Sequence, residues 1–509
     1  MIATWDQQSM WCLQMGYANR KQAPDAEKLK AILESVVDEH AKSGVDRLVH
    51  CVFALPEGVV PAGMKSFYRR GWKGDLGGND HSHIHVMEEG GHDTIQVILD
   101  RSRQQGMQFL AGLRMNDRHG NAGESQFGRA HPDWLIKDPK FPALDYRQAG
   151  VRQAVLDVAR EMLERYDVDG IELDWMRHCH VFNPSEAEQS APILTAFVAD
   201  MRKLLDEAAR KRGRDRLLLG VRVAQTADEC RVLGYDVRAW AQQGIVDYMC
   251  PSDFFYNDCN VETEKFVAMT RGTRCKVYPS IHAKIAHDHF HAVPSLANYR
   301  ATAKNFFAYG ADGVSVYNYH YHWRADMGPE EDWPGVMQYL AEVRDAATVA
   351  RGNRHYLYYP LWLPGKCPTG PQFNKTNTIT LNPDQPNGAV TFRMAEDLAD
   401  PTWDTRLEFK LMGKTESVSP NIEGGTLRVR LNGHDIKADQ LTSTLVAAGR
   451  PESAGRRLPA YQLYRLPLDA KIARWGDNVL ELTWTDLPRN ADEAGWLAQE
   501  FEVFVTGKE

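Results

Sequence analysis

The stretch Asp167-Val168-Asp169-Gly170-Ile171-Glu172-Leu173-Asp174-Trp175-Met176-Arg177 decides how this chain is read. Taken as a strand, it places Ile171, Leu173 and Trp175 on one face and Glu172, Asp174 and Met176 on the other. The first face suits packing beneath helices. The second carries two carboxylates inward, where an unpaired charge is costly or changes its protonation state. Such a face is either the tip of a catalytic strand, with Arg177 just beyond it, or one side of a structural ion-pair network.

Working outward, residues 147–166 predict an amphipathic helix with Val151, Val155, Val158, Ala159 and Met162 as its apolar stripe, and 191–211 predict another. The same alternation continues in both directions. Strands are expected near Trp5-Asp6 and over 45–54, 107–116, 217–226, 245–255, 276–283 and 313–321, with helices over 25–43, 94–105, 297–309 and 333–347. Eight strands alternating with helices predict parallel βα units closed into a (β/α)8 TIM barrel. No glycine-rich phosphate loop follows the first strand, which argues against a doubly wound sheet. Residues 55–91 are expected to form a long loop containing His81, His83 and His85. That spacing would suit a metal if it lay on a strand, and a solvated loop otherwise.

Beyond residue 353 the helical period disappears. Short alternating runs at 376–381, 389–393, 406–411, 426–431, 461–467, 478–484 and 501–506, with turns such as Asn432-Gly433, predict a β-sandwich. Residues 438–459 are expected to be an exposed loop. The expected division is therefore a catalytic barrel over 1–352 and an accessory sandwich over 353–509.

At 509 residues the chain exceeds one hydrophobic core, in keeping with two domains. A net charge of -8 with no basic stripe excludes a nucleic-acid partner, and no apolar run reaches the roughly 18 residues of a membrane span. The opening Met1-Ile2-Ala3-Thr4-Trp5-Asp6 lacks a secretory pattern, which points to a cytoplasmic chain unless the sequence has been trimmed. The eight cysteines include no CxxC pair, so reduced thiols are expected and neither a zinc knuckle nor a disulfide framework. Abundant tryptophan and tyrosine suit sugar stacking as well as an ordinary core.

In a barrel the C-terminal strand ends line one mouth, where the active site belongs. Asp6, Arg114, Asn116, Glu172, Asp174, Arg177, Arg222, Asp253, His282, Asn318 and His320 are predicted there, with Tyr317 on the alternate parity and Asp117 in the adjoining loop. Carboxylates and arginines dominate. Neither an acyl-transfer triad nor a cofactor fingerprint is present, so no cofactor and no metal are expected. His282, His287, His289 and His291 are expected to lie in a solvated loop. Two carboxylates across a polyol pocket are the chemistry of glycoside cleavage: one attacks or steadies the oxocarbenium-like centre, the other protonates the leaving oxygen. For Asp253, following Pro251-Ser252, a turn-capping role stands beside the catalytic one. Arg114 and Arg222 could be ion-pair partners or contacts to an anionic sugar.

The segments His131-Pro132-Asp133-Trp134-Leu135, Leu144-Asp145-Tyr146 and Asp169-Gly170-Ile171-Glu172-Leu173-Asp174 resemble the glycosyl-hydrolase-like family 10 group of barrel proteins over most of residues 25–345. The resemblance implies a TIM barrel of glycoside-hydrolase type. A more distant similarity is to chitinase-type hydrolases, matched at Asp169, Gly170, Glu172 and Asp174, but their catalytic glutamate would fall on Met176, which cannot transfer a proton. The arrangement looks more like barrel hydrolases related to α-galactosidases, with a nucleophilic aspartate on the fourth strand and an acid/base aspartate after the sixth. Asp174 and Asp253 stand in those places. In the C-terminal part, Leu431-Asn432-Gly433-His434-Asp435-Ile436, Leu466-Pro467-Leu468 and Trp475-Gly476-Asp477-Asn478-Val479-Leu480 resemble the jelly-roll modules attached to many glycoside hydrolases, some of which bind sugar.

The expectation is thus a glycosidase acting on an oligo- or polysaccharide, with Asp174 as nucleophile or base and Asp253 or Glu172 as acid/base. The alternatives are a non-catalytic carbohydrate-binding barrel and, less favoured, a metal-dependent hydrolase using the loop histidines.

Overall fold

A computed structural model describes residues 1–6, 24–54, 80–116, 123, 125–137, 143–253, 256–285, 293–319, 333–358, 377–414, 425–448, 459–486 and 495–508, with backbone alone for Asp6, Phe53, Ala54, Asp80, His81, Ser82, His85 and Gln126. The first nine strand segments are β1 Ile2–Asp6, β2 Arg47–Ala54, β3 Gln108–Arg114, β4 Gly170–Asp174, β5 Leu218–Ala224, β6 Tyr248–Ser252, β7 Lys276–Val277, β8 Ser280–His282 and β9 Ser315–Tyr317. All pair in parallel, in the order β7-β6-β5-β4-β3-β2-β1-β9-β8.

The two ends of that order are halves of one strand. The predicted seventh strand is divided at Tyr278-Pro279 because proline has no N–H to donate. Its first half pairs with β6 and its second with β9. Tyr278 N–H still reaches Met249 O (2.9 Å), and Pro279 O still accepts from Ser315 N–H (3.0 Å). The ring therefore closes, as an eight-stranded barrel.

β4 shows why the sequence folds this way. Its outward side chains, Ile171 and Leu173, are fully buried in the cluster formed with the surrounding helices. Trp175, just past the strand, meets Tyr146, Phe197, Tyr235 and Trp240 with ring centroids 5.5–6.4 Å apart. Removing each such side chain from water stabilises the fold by roughly 1.5–3 kcal/mol. Helix Ala191–Lys211 supplies Leu194, Phe197, Val198, Met201 and Leu205 to this layer.

Four expectations are corrected. Residues 80–89, placed in the 55–91 loop, form a helix, Asp80–Glu89. His83 lies on this helix and is buried, not solvated. The final helix is broken into Gly335–Met337, Gln338–Glu342 and Ala346–Val349, the last restarted by the Asp345 carboxylate accepting from Thr348 N–H (2.9 Å). The loop expected at 438–459 contains a strand, Thr442–Val446. It is an exposed edge whose Thr442-Ser443-Thr444 shows no apolar alternation to read. A strand at Arg354–Tyr358, ahead of the first run read from the sequence, opens the all-β part.

That part continues the strand numbering with β10 Arg354–Tyr358, β11 Ile379–Leu381, β12 Asn387–Met394, β13 Trp403–Gly413, β14 Thr426–Leu431, β15 His434–Asp435, β16 Thr442–Val446, β17 Tyr461–Pro467, β18 Gly476–Thr485 and β19 Trp496–Gly507. One antiparallel sheet runs β10-β19-β13-β17-β16 with β11 also on β19, and the other runs β12-β18-β14-β15. Phe392, Leu480 and Leu482 of the second share a core with Leu407, Phe409, Leu411 and Val503 of the first. This apolar cluster includes Cys259 and Ala301 of the barrel, so the two parts pack directly. Beside it, Glu396 accepts from Arg354 Nη2 (2.7 Å), Lys304 Nζ (2.8 Å) and Tyr356 OH (2.6 Å). Burial pushes this carboxyl up, but Arg354 and Lys304 outweigh it and hold the group below its ordinary range.

Candidate active site

Strand register assembles the mouth. Asp174 at the end of β4 pairs with Arg114 on β3 and with Arg222 on β5. A carboxylate is thus flanked by a cation on each neighbouring strand. Arg222 Nη1 donates to Asp174 Oδ1 (2.8 Å), and both side chains are almost wholly buried. Met176 N–H donates to the same oxygen (2.9 Å) and Tyr317 OH to Oδ2 (3.0 Å). Asp174 accepts in all three bonds, the pattern that a carboxylate meets.

Arg222 also organises what lies beyond β5. Its Nε donates to Ser252 Oγ (3.0 Å), its Nη2 to the Asp253 main-chain carbonyl (2.8 Å), and its guanidinium lies 3.7 Å from the centroid of the Tyr317 ring. Ser252 Oγ is 2.8 Å from His282 Nε2. Burial and the adjacent Arg222 charge hold His282 well below the usual imidazole range, so the ring is neutral. One guanidinium therefore bridges Asp174 and the main chain at Asp253. The Asp253 carboxylate Oδ1 accepts from Tyr256 N–H (3.0 Å), the turn-capping arrangement anticipated as its alternative role.

One layer deeper, Glu172 pairs with Gly112 on β3 and Gly220 on β5. The flanking glycines leave space that another side chain crosses. A Cβ at Gly220 would lie 2.0 Å from the Tyr248 ring, which reaches over this glycine to donate its hydroxyl to Glu172 Oε2 (2.8 Å). Thr4 Oγ1 lies 3.4 Å from Oε1. Burial, with the Asp174 charge adding to it, pushes the Glu172 carboxyl up to about 7 against the opposing effects of the Tyr248 bond and Arg222. Gly220→Ala is accordingly expected to displace Tyr248 and to lower stability by about 1–3 kcal/mol in urea denaturation. An unchanged midpoint would mean that the ring moves aside freely.

A cavity of about 10 Å³, roughly the room one water needs, is lined by Thr4, Cys51, Gly112, Glu172, Asp174 and Tyr317 among others.

Arg114, Asp174, Arg177, Arg222, Asp253, His282, Tyr317 and Asn318 are all buried, and the charges of Arg114, Asp174, Arg222 and Arg177 all act on the Tyr317 phenol, whose pKa burial raises. Asn116 is bound to backbone: its amide donates to Leu144 O and His180 O (both 3.0 Å) and accepts from Leu144 N–H (3.1 Å). Asn318 takes a left-handed conformation (φ 54°), which asparagine tolerates, and turns the chain out of β9. Asp117, His287, His289, His291, His320 and the side chain of Asp6 lie outside the described residues. Among those described, no group of three or more His, Cys, Asp or Glu is arranged to hold a metal ion, and no helix is long and apolar enough to cross a membrane.

The sequence reading missed Thr4, Tyr248, Ser252, His178 and His180. Tyr248 and Ser252 share the inward parity of β6 and were within reach of the period-two rule. His178 and His180, both buried, belong to the polar run directly behind the β4 tip.

No family model matches the chain, and no curated protein matches it in sequence, so the resemblance to the glycosyl-hydrolase-like family 10 group rests on its residues alone. Solved structures similar to it include a cycloisomaltooligosaccharide glucanotransferase from Paenibacillus sp. (10% identity, 99% of this chain and 57% of that one, TM-score 0.33). Others are α-L-fucosidase isoenzyme 2 from Paenibacillus thiaminolyticus (11% identity, 69% and 48%, TM-score 0.39) and a chitinase-like agglutinin from Robinia pseudoacacia (9% identity, 67% and 98%, TM-score 0.39). The chain spans about half the length of the first two. At these scores the barrel assignment stands on the closed strand order, and the site on its own geometry.

Proposed function

We propose that this chain is a glycoside hydrolase that cleaves an oligo- or polysaccharide at the C-terminal mouth of the barrel, akin to the glycosyl-hydrolase-like family 10 group. The observation behind the reading is a pair of carboxyls with opposed environments on one strand: Asp174 accepting from Arg222, Tyr317 and Met176 N–H, and Glu172 beneath it pushed up to about 7. Asp174 is the nucleophile or base. Asp253, next to the same guanidinium and at the mouth, is the acid/base that a substrate could meet. Glu172, pushed up to about 7, lies below Asp174 and is the second candidate. Arg114, Arg177 and Tyr317 would contact substrate. Residues 1–352 form the catalytic unit and 353–509 the accessory one.

Two observations favour the alternative, a carbohydrate-binding barrel without activity: Met176 occupies the place of the chitinase-type proton donor, and Asp253 Oδ1 is already engaged by Tyr256 N–H. Incubating the full-length chain with a panel of neutral and acidic oligosaccharides, while following new reducing ends and binding in parallel, decides between them. Turnover is expected, and Asp174→Asn should bring it to background. Binding with no turnover by the wild-type chain would overturn the hydrolase reading in favour of the binding barrel.

A further inference from the structure

Arg393 lies on β12 of the sandwich, yet much of its hydrogen bonding is with the barrel. Its Nη1 donates to Val261 O (3.2 Å), and Nη1 and Nη2 donate to the two oxygens of Glu264 (2.7 and 3.0 Å). On its other side the guanidinium is held by both oxygens of Asp477 (2.7 and 3.1 Å). The main chain takes part as well. Arg393 N–H donates to Asn260 Oδ1 (3.0 Å), and Arg393 O accepts from Asn305 Nδ2 (2.9 Å), which also holds Cys259 O (2.9 Å). The side chain is 9% exposed, with its cation 4.4 Å from the Tyr309 ring centroid.

Beyond satisfying a buried guanidinium, these bonds gather on Cys259, Asn260, Val261 and Glu264, which follow β6 and lead back to the mouth. Asn260 N–H donates to Asp258 Oδ1 (2.8 Å), and Asp258 Oδ2 accepts from Gln225 Nε2 (2.6 Å), just past β5. Asn257 N–H donates to Lys284 O (2.8 Å), past β8, and Tyr256 N–H donates to the Asp253 carboxylate. Between Arg393 and Asp253 thus runs a stretch without helix or strand pairing of its own, tethered by separate hydrogen bonds along its length. Backbone of that kind must be ordered by its contacts, at a cost of about 1–2 kcal/mol per residue.

We infer that Arg393 is a positioning residue for the barrel mouth: the sandwich fixes the segment Tyr256–Val261 and, through it, the Asp253 carboxylate. The inference rests on the reading of Asp253 as acid/base. It makes the C-terminal part a component of the active site, whether or not it also binds sugar. The arginine fork makes these bonds simultaneously. Lysine would keep the charge and lose the geometry.

The test uses full-length wild type, Arg393→Gln, Arg393→Lys and, as a milder change on the barrel side, Asn260→Ala. Hydrogen exchange of peptides covering 256–261 is expected to accelerate by about tenfold in the arginine variants and less in Asn260→Ala, with β4 unchanged. On a substrate the wild type cleaves, kcat should fall by about 10–100-fold with KM within about twofold, the signature of a displaced reacting group. Once Asp253→Asn is in place, adding Arg393→Gln should cost little more, so the double variant should match Asp253→Asn alone. Unchanged exchange over 256–261, in Asn260→Ala as in the arginine variants, overturns the inference. So does faster exchange with unchanged kcat when Asp253→Asn alone is inactive. Full activity of Asp253→Asn alone overturns the acid/base reading, and the positioning role with it, even where the exchange result shows that Arg393 holds the segment.

Discussion

Cutting Arg222 back to leucine is expected to destabilise the fold by about 3–5 kcal/mol, because removing one partner of a buried ion pair leaves the other charge uncompensated. The Asp174 side chain is 5% exposed, so water cannot replace the lost guanidinium. Ser252 Oγ and the Asp253 carbonyl lose a donor in the same step. Urea denaturation checks the figure. A loss under about 1 kcal/mol would mean that the pair is screened as a surface pair is. Replacing both residues, Arg222→Leu with Asp174→Leu, should recover much of the loss, since the charge with no partner is then gone. The same reasoning bears on activity. Asp174→Asn removes the proposed nucleophile and also leaves Arg222 buried without its counter-ion, so its loss of turnover counts as catalytic only if the melting transition stays above the assay temperature.

Glu172→Gln is expected to act in the opposite direction. In the fold the Glu172 carboxyl titrates near 7, raised from 4.5 chiefly by burial. Between those two values the unfolded chain has released the proton while the folded chain keeps it. The unfolded state therefore binds fewer protons, and stability falls as pH rises from about 4.5 to 7. Above pH 7 the full penalty is present, about 3 kcal/mol at roughly 1.4 kcal/mol per pH unit. Glutamine resembles the protonated form, accepts from Tyr248 and never ionises. The variant should match wild type near pH 4 and exceed it by up to about 3 kcal/mol at pH 8, seen as a melting temperature that no longer declines across this range. Parallel pH profiles for the two proteins would mean that Glu172 is ionised at ordinary pH and cannot serve as a proton store beneath Asp174.

Both predictions depend on features with different visibility in the sequence. The inward parity of Glu172 and Asp174 was legible because side-chain alternation is a local property of a strand. The glycines beside Glu172 were visible as residues but not as neighbours. Nothing near Gly112 or Gly220 says that both pair with Glu172, or that Tyr248 lies across the second. Asn116 illustrates the reverse case: an amide at a predicted mouth position is held by backbone groups that only the fold brings to it. The edge strand Thr442–Val446 escaped notice because an exposed polar strand is specified by its partner, Tyr461–Pro467, and not by its own pattern.

The sequence by itself determined the eight alternating units, the sandwich that follows, and Asp174 at the tip of the fourth strand, because period and strand length are encoded within each segment. Only the tertiary structure decided that Arg114 and Arg222 flank that aspartate, that Arg222 ties it to a segment it meets across 31 residues, and that Arg393 reaches that segment from the other domain across 132 and more. Register and interdomain contact arise when distant segments pack together, and no local period records them.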